Sequence, residues 1–271
     1  MTISPLVSII TPTYNQGQFI EATIKSVLGQ TYRNIEYIIL DAMSTDNTSD
    51  ILKSYRDAGI QIIREPDEGQ SDAIVKGFRI ARGELVGWIN SDDILYPDCV
   101  EKIIAAYRIN PEAVLFYNSK LDIISEDGSF NRCIDVPVVN GEHLLRQCTN
   151  LIQPGSFYKN DALVKVNYLD KSLRFSMDLD LSLRLLKVGS CINVGGSPIA
   201  GYREWGGTKT STGASKLLKE RKRLLFSHGA EATDKTILDI NFGLAKCFVK
   251  NLPIVGGVCK AFVRRLKVLL G

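Results

Sequence analysis

The chain lacks both glycine signatures that mark the commonest nucleotide-binding folds. No GxGxxG follows its first strand-like run and no GxxxxGK[ST] occurs anywhere, which removes the usual dinucleotide and P-loop readings. Cysteine is sparse and scattered. The six residues Cys99, Cys133, Cys148, Cys191, Cys247 and Cys259 form no CxxC and have no histidine at metal-ligand spacing, which argues against a zinc site or a disulfide framework and fits reduced thiols in a cytoplasmic setting. Histidine is rarer still: His143 and His228 stand in no motif and read as structural or surface groups. The opening Met1-Thr2-Ile3-Ser4-Pro5 has no basic segment followed by an apolar core, so no signal peptide is expected. No apolar run reaches the roughly 18 residues that span a bilayer. Nor is there a strong excess of either charge. A net charge of +3 with 23% charged residues points neither to nucleic acid nor to an acidic polymer as partner.

What is present is an alternation. Apolar strand-like runs occur at Leu6 to Ile10, Ile35 to Leu40, Ile60 to Ile63, Leu85 to Ile89 and Ala113 to Tyr117. Between them, helical spacing is kept by Phe19, Ile20, Thr23, Ile24, Val27 and Leu28, by Ile51, Leu52 and Tyr55, by Ala73, Ile74, Gly77, Phe78 and Ala81, and by Val100, Ile103, Ile104 and Tyr107. This βα repeat predicts an α/β fold with a mostly parallel central sheet and helices on both faces. Asp46 and the residues after it read as a helix start with acids in its first turn, and Pro97 as the opening of another helix.

In such a sheet ligands collect at the carboxyl ends of the strands, so polar residues stationed there are read together. The first strand runs into Thr11-Pro12-Thr13-Tyr14-Asn15, the second into Asp41, and the fourth into Asn90-Ser91-Asp92-Asp93. A ring such as Tyr14 can stack on a base and a carboxylate such as Asp41 can accept from a base N–H, so a nucleotide suits this edge. Two adjacent carboxylates repel unless a metal, a hydroxyl-rich ligand or nearby bases satisfy them. A solvated turn is the plainer reading of an isolated Asp-Asp pair. Without a glycine-rich loop, a cation on Asp93 would supply the charge that holds a diphosphate.

Four ordered blocks carry a resemblance. Val7-Ser8-Ile9-Ile10-Thr11-Pro12-Thr13-Tyr14-Asn15, Gln30-Thr31-Tyr32 with Glu36-Tyr37-Ile38-Ile39-Leu40-Asp41, Asp67-Glu68-Gly69-Gln70-Ser71-Asp72-Ala73, and Asn90-Ser91-Asp92-Asp93 resemble the inverting glycosyltransferases of family two, with the glycosyltransferase A fold. The likeness covers about residues 5 to 210. It implies that Asp41 binds the base of a nucleotide sugar, that Asp92 meets the ribose or sugar, and that Asp93 ligates Mn²⁺ or Mg²⁺. Thr11, Pro12, Thr13 and Tyr14 become donor-binding positions, and Gln70 a contact to the diphosphate or sugar, with capping of its own helix the equal alternative.

Past residue 118 the pattern changes. Leu121 to Ser125 and Ser129 to Ile134 flank Glu126-Asp127-Gly128 as a hairpin. Gln153-Pro154-Gly155-Ser156-Phe157 is similar to the family segment under the sugar, although a Pro-Gly turn reads as simply. Met177-Asp178-Leu179-Asp180-Leu181 opens a helix with two acids in its first turn, where they ease the helix dipole. The resemblance places the general base of an inverting transfer at Asp178 and leaves Asp180 to cap the helix or orient the loop. In Tyr202-Arg203-Glu204-Trp205-Gly206-Gly207-Thr208-Lys209-Thr210 the chain departs from the family, since Trp205 stands where a His often follows Tyr-Arg. Metal affinity is expected to be lower for it, and Arg203 and Lys209 are read as diphosphate contacts.

The resulting plan has three parts: residues 1–118 as the nucleotide-sugar half, 119–210 as the acceptor and catalytic half of the same domain, and 211–271 as a helical, basic, amphipathic tail. That tail pairs Leu217, Leu218, Leu224 and Leu225, and later Val255, Val258, Phe262, Leu266 and Leu269, with flanking lysines and arginines. It reads as an interfacial helix for the cytoplasmic face of a membrane, or as core or dimer packing. The expected activity is hexosyl transfer from a UDP- or dTDP-sugar to a glycan or lipid-linked acceptor of the cell envelope. A sugar-nucleotidyltransferase would need a basic glycine-rich loop near its start, and an inactive binding module would have no use for Asp178.

Overall fold

The computed structural model describes residues 4–148, 151–208 and 213–250. Its centre is a seven-stranded sheet built from β1 (Val7–Thr13), β2 (Ile35–Asp41), β3 (Gln61–Arg64), β4 (Leu85–Trp88), β6 (Leu115–Tyr117), β9 (Phe157–Lys159) and β10 (Cys191–Asn193), in the order β10-β6-β9-β4-β1-β2-β3. β1 pairs in parallel with β2 and β4, and β2 with β3. The expected α/β architecture is therefore present, with two strands of this sheet, β9 and β10, that the alternation did not reveal. β9 lies antiparallel between β4 and β6.

A second sheet of four strands stands beside the first in the order β5-β11-β7-β8, from β5 (Ile94–Leu95), β7 (Lys120–Ile124), β8 (Phe130–Asp135) and β11 (Ala200–Arg203). β7 and β8 are the expected hairpin. β5 follows directly on the acidic pair and pairs with β11, so the segment holding Trp205 is tied to the segment holding Asp92 and Asp93.

Helices α1 (Ile20–Leu28), α2 (Thr48–Ser54), α3 (Gln70–Ile80) and α4 (Cys99–Ile109) fill the βα crossovers, and α5 (Gly141–Arg146), α6 (Asn160–Lys165) and α7 (Met177–Leu185) follow. The period-3.6 apolar residues face inward as expected: Ile20, Ile24 and Val27 are buried on α1, and Ile74 and Phe78 on α3. Each such side chain contributes about 1.5–3 kcal/mol of burial. The core falls into two apolar clusters, one holding Ile9, Ile24, Ile39 and Ile104, the other Ile10, Ile38, Ile74 and Phe78. Alternate residues of β1 thus feed different clusters, the signature of a sheet covered on both sides.

Two helices follow the α/β unit, α8 (Ala214–Ser227) and α9 (Lys235–Lys250). Leu224 and Leu225 of α8 and Ile237 and Ile240 of α9 are buried in the second core cluster, and Thr236 Oγ1 donates to the Leu145 carbonyl at 2.8 Å. For this stretch the apolar face is core packing rather than an interfacial surface. Residues 251–271, where the second apolar stripe and four of the tail's cations (Lys260, Arg264, Arg265 and Lys267) fall, lie outside the described residues, as does Lys209. Among the described residues no helix is long and apolar enough to cross a membrane, and the five described cysteines are unpaired thiols.

Gly87 shows how tightly β9 docks. A Cβ there would meet the Ser156 carbonyl oxygen and the Phe157 ring at 2.8 Å, and neither backbone nor packed ring can yield. Gly87→Ala is expected to cost about 1–3 kcal/mol, as overpacking does, with thermal or urea unfolding as the measure.

Candidate active site

The parallel pairing of β1, β2 and β4 brings Thr13, Asp41 and the 90–93 turn to one edge, with Thr13 and Asp41 in register. Tyr14 projects there, 59% exposed. The loop after β1 is laced to the loop after β2: Asn15 N donates to Ser44 Oγ, Gln16 N to Thr48 Oγ1 and Gly17 N to Asp46 Oδ2. Asp46 Oδ1 accepts from Thr48 N, which makes it part of the turn before α2.

Asp41 is buried, and its Oδ1 accepts from the amide and hydroxyl of Ser44. Oδ2 lies 3.2 Å from Arg64 Nε yet receives no hydrogen bond among the described residues. A buried acceptor left unsatisfied costs about 1–3 kcal/mol, more when charged, so this oxygen is a ready partner for an N–H of a bound ligand. The Thr13 hydroxyl is likewise buried with no partner. Thr11 belongs elsewhere: its hydroxyl is bonded to the Tyr37 hydroxyl at 3.0 Å inside the sheet, so it is no donor contact, because β1 alternation turns it into the core. Pro12 is also buried within β1.

The acidic pair divides its roles against expectation. Asp93 is fully buried; Oδ1 accepts from Arg203 N at 2.9 Å and Oδ2 from Asn90 Nδ2 at 3.0 Å. Burial, and then the neighbouring charge of Asp92, push its carboxyl well above the usual range. Both oxygens face the β4-to-β11 junction, so the assignment of a cation to Asp93 is corrected: its side chain is spent holding the turn. Asp92 is half-buried, and its Oδ2 accepts from the Trp205 indole N–H at 3.0 Å. Trp205 in turn stands edge-on to Phe19, with centroids 5.0 Å apart.

Arg203 is corrected as well. Its Nε donates to the Asp92 carbonyl at 2.8 Å, its Nη1 to the Ser125 and Glu126 carbonyls, and its guanidinium lies over Phe19. At 5% exposure it ties the acidic turn to the hairpin instead of reaching a diphosphate. Gln70 is brought into the site through Asn90, whose Oδ1 accepts from Gln70 Nε2 at 2.7 Å. Asn90 is the member that reading by residue type missed; standing two positions before Asp92 at a strand end was its only signal.

Asp178 opens α7 in a half-buried position. The segment before it is pinned to the same edge: the Ser71 hydroxyl donates to the Leu173 carbonyl and Lys171 pairs with Asp72 at 2.6 Å, both on the first turn of α3 beside Gln70. Gln153 Nε2 donates to the Trp88 carbonyl at 2.8 Å, placing the Gln153-Pro154-Gly155 turn under the end of β4. The chain just before Asp178 is thereby tied to α3 and the end of β4.

Asp180 does something else. It is buried, pairs with Arg184 Nε at 2.8 Å and Nη2 at 2.6 Å, and accepts from His228 Nε2 at 3.0 Å. It braces α7 to α8 rather than capping the helix, and His228 is structural. Burial alone would raise the Asp180 pKa, but the hydrogen bonds from His228 and Arg184 outweigh it and hold the value low. A lowered folded-state pKa contributes stability that is present above the unfolded value of about 3.9 and disappears as pH falls through the folded value. The unfolding free-energy gap between wild type and Asp180→Asn is therefore expected to shrink as pH falls below about 4, measured by urea titration.

A divalent cation fits Asp92 on chemical grounds. Hard cations of the Mg²⁺ class are commonly held by one or two carboxylates plus substrate phosphates, and a half-exposed carboxylate at a strand end offers that arrangement. A cage made by protein alone does not fit, since among the described residues no three His, Cys, Asp or Glu side chains gather as a metal site.

Known proteins resemble this chain in sequence and in fold. Residues 8–131 match the family model of glycosyl transferase family 2. The chain is 32% identical over 201 residues to an uncharacterized glycosyltransferase of Rickettsia typhi, covering 70% of this chain and 61% of that protein. It is 43% identical over 101 residues to a putative teichuronic acid biosynthesis glycosyltransferase of Bacillus subtilis, 36% of this chain and 40% of the other. The chain therefore spans less than two thirds of the length of these relatives. Among solved structures, S. aureus TarS residues 1–349 in complex with UDP-GlcNAc superposes with a TM-score of 0.66 at 16% identity, over 92% of this chain and 76% of that one. A mannosyltransferase of Pyrobaculum calidifontis in complex with GDP-Man and Mn²⁺ gives 0.62 at 17%, over 99% and 81%. The matched family model and the likeness to these glycosyltransferases identify residues 8–131 as a glycosyl transferase family 2 region, in a chain with the glycosyltransferase A fold.

Proposed function

We propose that this protein transfers a sugar, with inversion, from a nucleotide-sugar donor to a glycan or lipid-linked acceptor in polysaccharide synthesis. The observation that carries the reading is the strand-end edge that gathers Thr13, Asp41 and Asp92, with the segment before Asp178 tied to the first turn of α3 beside it. Residues 4–118 would hold the donor and 119–208 the acceptor and the base. The base of the nucleotide would meet Asp41 Oδ2, which Arg64 flanks at 3.2 Å, and the Tyr14 ring. UDP- and dTDP-sugars are favoured, since a pyrimidine N–H suits a carboxylate acceptor; the TarS complex with UDP-GlcNAc supports the first. The teichuronic acid relative supports an envelope polysaccharide as product.

In an inverting transfer the acceptor hydroxyl loses its proton as it attacks the anomeric carbon opposite the departing nucleoside diphosphate. Asp178 takes that proton, a role worth about 10²–10⁴ in rate. Asp92 would hold Mn²⁺ or Mg²⁺, which supplies Lewis-acid neutralisation of the diphosphate when bound; the Mn²⁺ complex of the mannosyltransferase supports this. Trp205 keeps Asp92 oriented, and Gln70 with Asn90 fixes the turn beneath it. Peripheral attachment to the cytoplasmic face of a membrane would rest on residues 251–271.

A donor screen tests the reading: nucleotide release from UDP-, dTDP- and GDP-sugars, with and without Mn²⁺, in the presence of glycan acceptors. Release with one donor class, stimulated by acceptor, is the expected result. Formation of a nucleotide sugar from sugar phosphate and nucleoside triphosphate would replace it with a nucleotidyltransferase.

A further inference from the structure

We infer that Glu220, on α8 and outside the matched family region, is a positioning residue for Asp178. This rests on the reading of Asp178 as base. The geometry is a carboxylate set on three consecutive amides: Oε2 accepts from Arg174 N at 3.0 Å, and Oε1 from Phe175 N and Ser176 N at 2.8 Å each. These are the last three amides before α7, and Ser176 is the N-cap residue, which makes no side-chain cap bond of its own. A helix start leaves amides without intrahelical partners and carries partial positive charge. Glu220 satisfies that start from another element, with charge-assisted bonds of the stronger kind.

On the α3 side the segment is held by Ser71 and Asp72 at residues 173 and 171; on the α8 side a cleft of about 570 Å³, lined by Leu173, Phe175, Lys216, Lys219 and Arg223 among others, opens beside it, and there Glu220 makes the hold on amides 174–176. The far end of α8 makes the second grip, through His228 on Asp180. Asp178 therefore sits between two attachments to one helix. Arg221, next to Glu220, has a buried Nε without a hydrogen-bond partner. Burial draws its pKa below the ordinary guanidinium value, and the charge of Asp178 is the foremost influence opposing that fall, so the cation and the carboxylate act on each other electrostatically. A base whose helix start drifts loses its alignment with the acceptor hydroxyl, and misplacement of about 1 Å can cost on the order of 10²-fold in rate.

The test compares Glu220→Gln, Glu220→Ala and Asp178→Asn in the full chain. Three readouts are taken: kcat and donor KM for transfer, donor affinity by calorimetry, and amide hydrogen exchange over residues 174–180. Glu220→Ala is expected to lower kcat about 10- to 100-fold, with donor affinity within twofold and faster exchange at 174–176. Glu220→Gln, which keeps one amide oxygen as acceptor, is expected to fall between the two. If Glu220→Ala does not fold, the Gln variant decides. A folded Glu220→Gln with wild-type kcat and wild-type exchange overturns the inference, as does equal loss of kcat and donor affinity. Should Asp178→Asn itself transfer at the wild-type rate, the base assignment falls first and this inference with it. An inactive Asp178→Asn beside a fully active Glu220 variant removes the positioning role alone.

Discussion

Asp178→Asn is expected to bind donor with wild-type affinity and to lose transfer by about 10²–10⁴-fold, the span that a positioned base contributes. The carboxamide keeps the shape at the start of α7 and can still accept from Leu179 N, as Asp178 Oδ1 does at 2.8 Å. It cannot take the acceptor's proton, so the loss belongs to kcat rather than to donor binding. Asp180→Asn gives a different signature. That carboxylate is buried between Arg184 and His228, and removing one partner of a buried pair costs about 3–5 kcal/mol. Its defect is expected in stability, with activity per folded molecule retained at low temperature. An Asp180→Asn enzyme that is stable but inactive, beside an active Asp178→Asn, would move the base two residues along.

Asp92→Ala is expected to abolish the Mn²⁺-dependent part of nucleotide-sugar affinity, because the cation and the diphosphate are jointly held. Asp93→Asn is expected to keep that dependence and to lose stability, since Asp93 faces Arg203 N and Asn90 rather than the cleft. Titration calorimetry with and without Mn²⁺ separates the two variants. Metal-dependent binding that survives in Asp92→Ala and vanishes in Asp93→Asn would return the cation to the second acid. Intrinsic fluorescence offers a parallel readout: Trp205 donates to Asp92, whereas the other tryptophan, Trp88, is buried in the core.

Much of this was legible in the sequence because parallel βα units repeat one simple rule. Runs such as Ile35–Asp41 and Leu85–Trp88 are buried on both faces, so they stand out as continuous apolar stretches, and their carboxyl ends name the ligand-binding edge. What was not legible depended on direction. Asp92 and Asp93 are alike in composition and adjacent in chain, and only the turn into β5 decides which carboxylate meets the cleft. Arg203 looked like an anion contact because its type suits phosphate, but the carbonyls that consume it come from residues 92, 125 and 126. Thr11 was misread for a related reason, since position on a strand end does not say which face a side chain takes. Glu220 carries no local signal at all. Its partners lie 44 to 46 residues earlier, and a glutamate on a basic helix reads as an ordinary surface charge.

The antiparallel strand β9 constrains how the chain can be made. Leu85, Val86 and Gly87 of β4 pair on one side with β1 and on the other with residues 157–159. β6 reaches the sheet only through that same strand, apart from its pairing to β10. During synthesis, the first four strands are complete long before residue 157 leaves the ribosome, and until then β4 presents an unpaired apolar edge of the kind that recruits other chains. The stretch matched by the family model, residues 8–131, ends inside this window. Cut at that boundary, the protein would keep Thr13, Asp41 and Asp92 at the strand ends and lose β9, so the stretch matched by the family model is shorter than the sheet it belongs to.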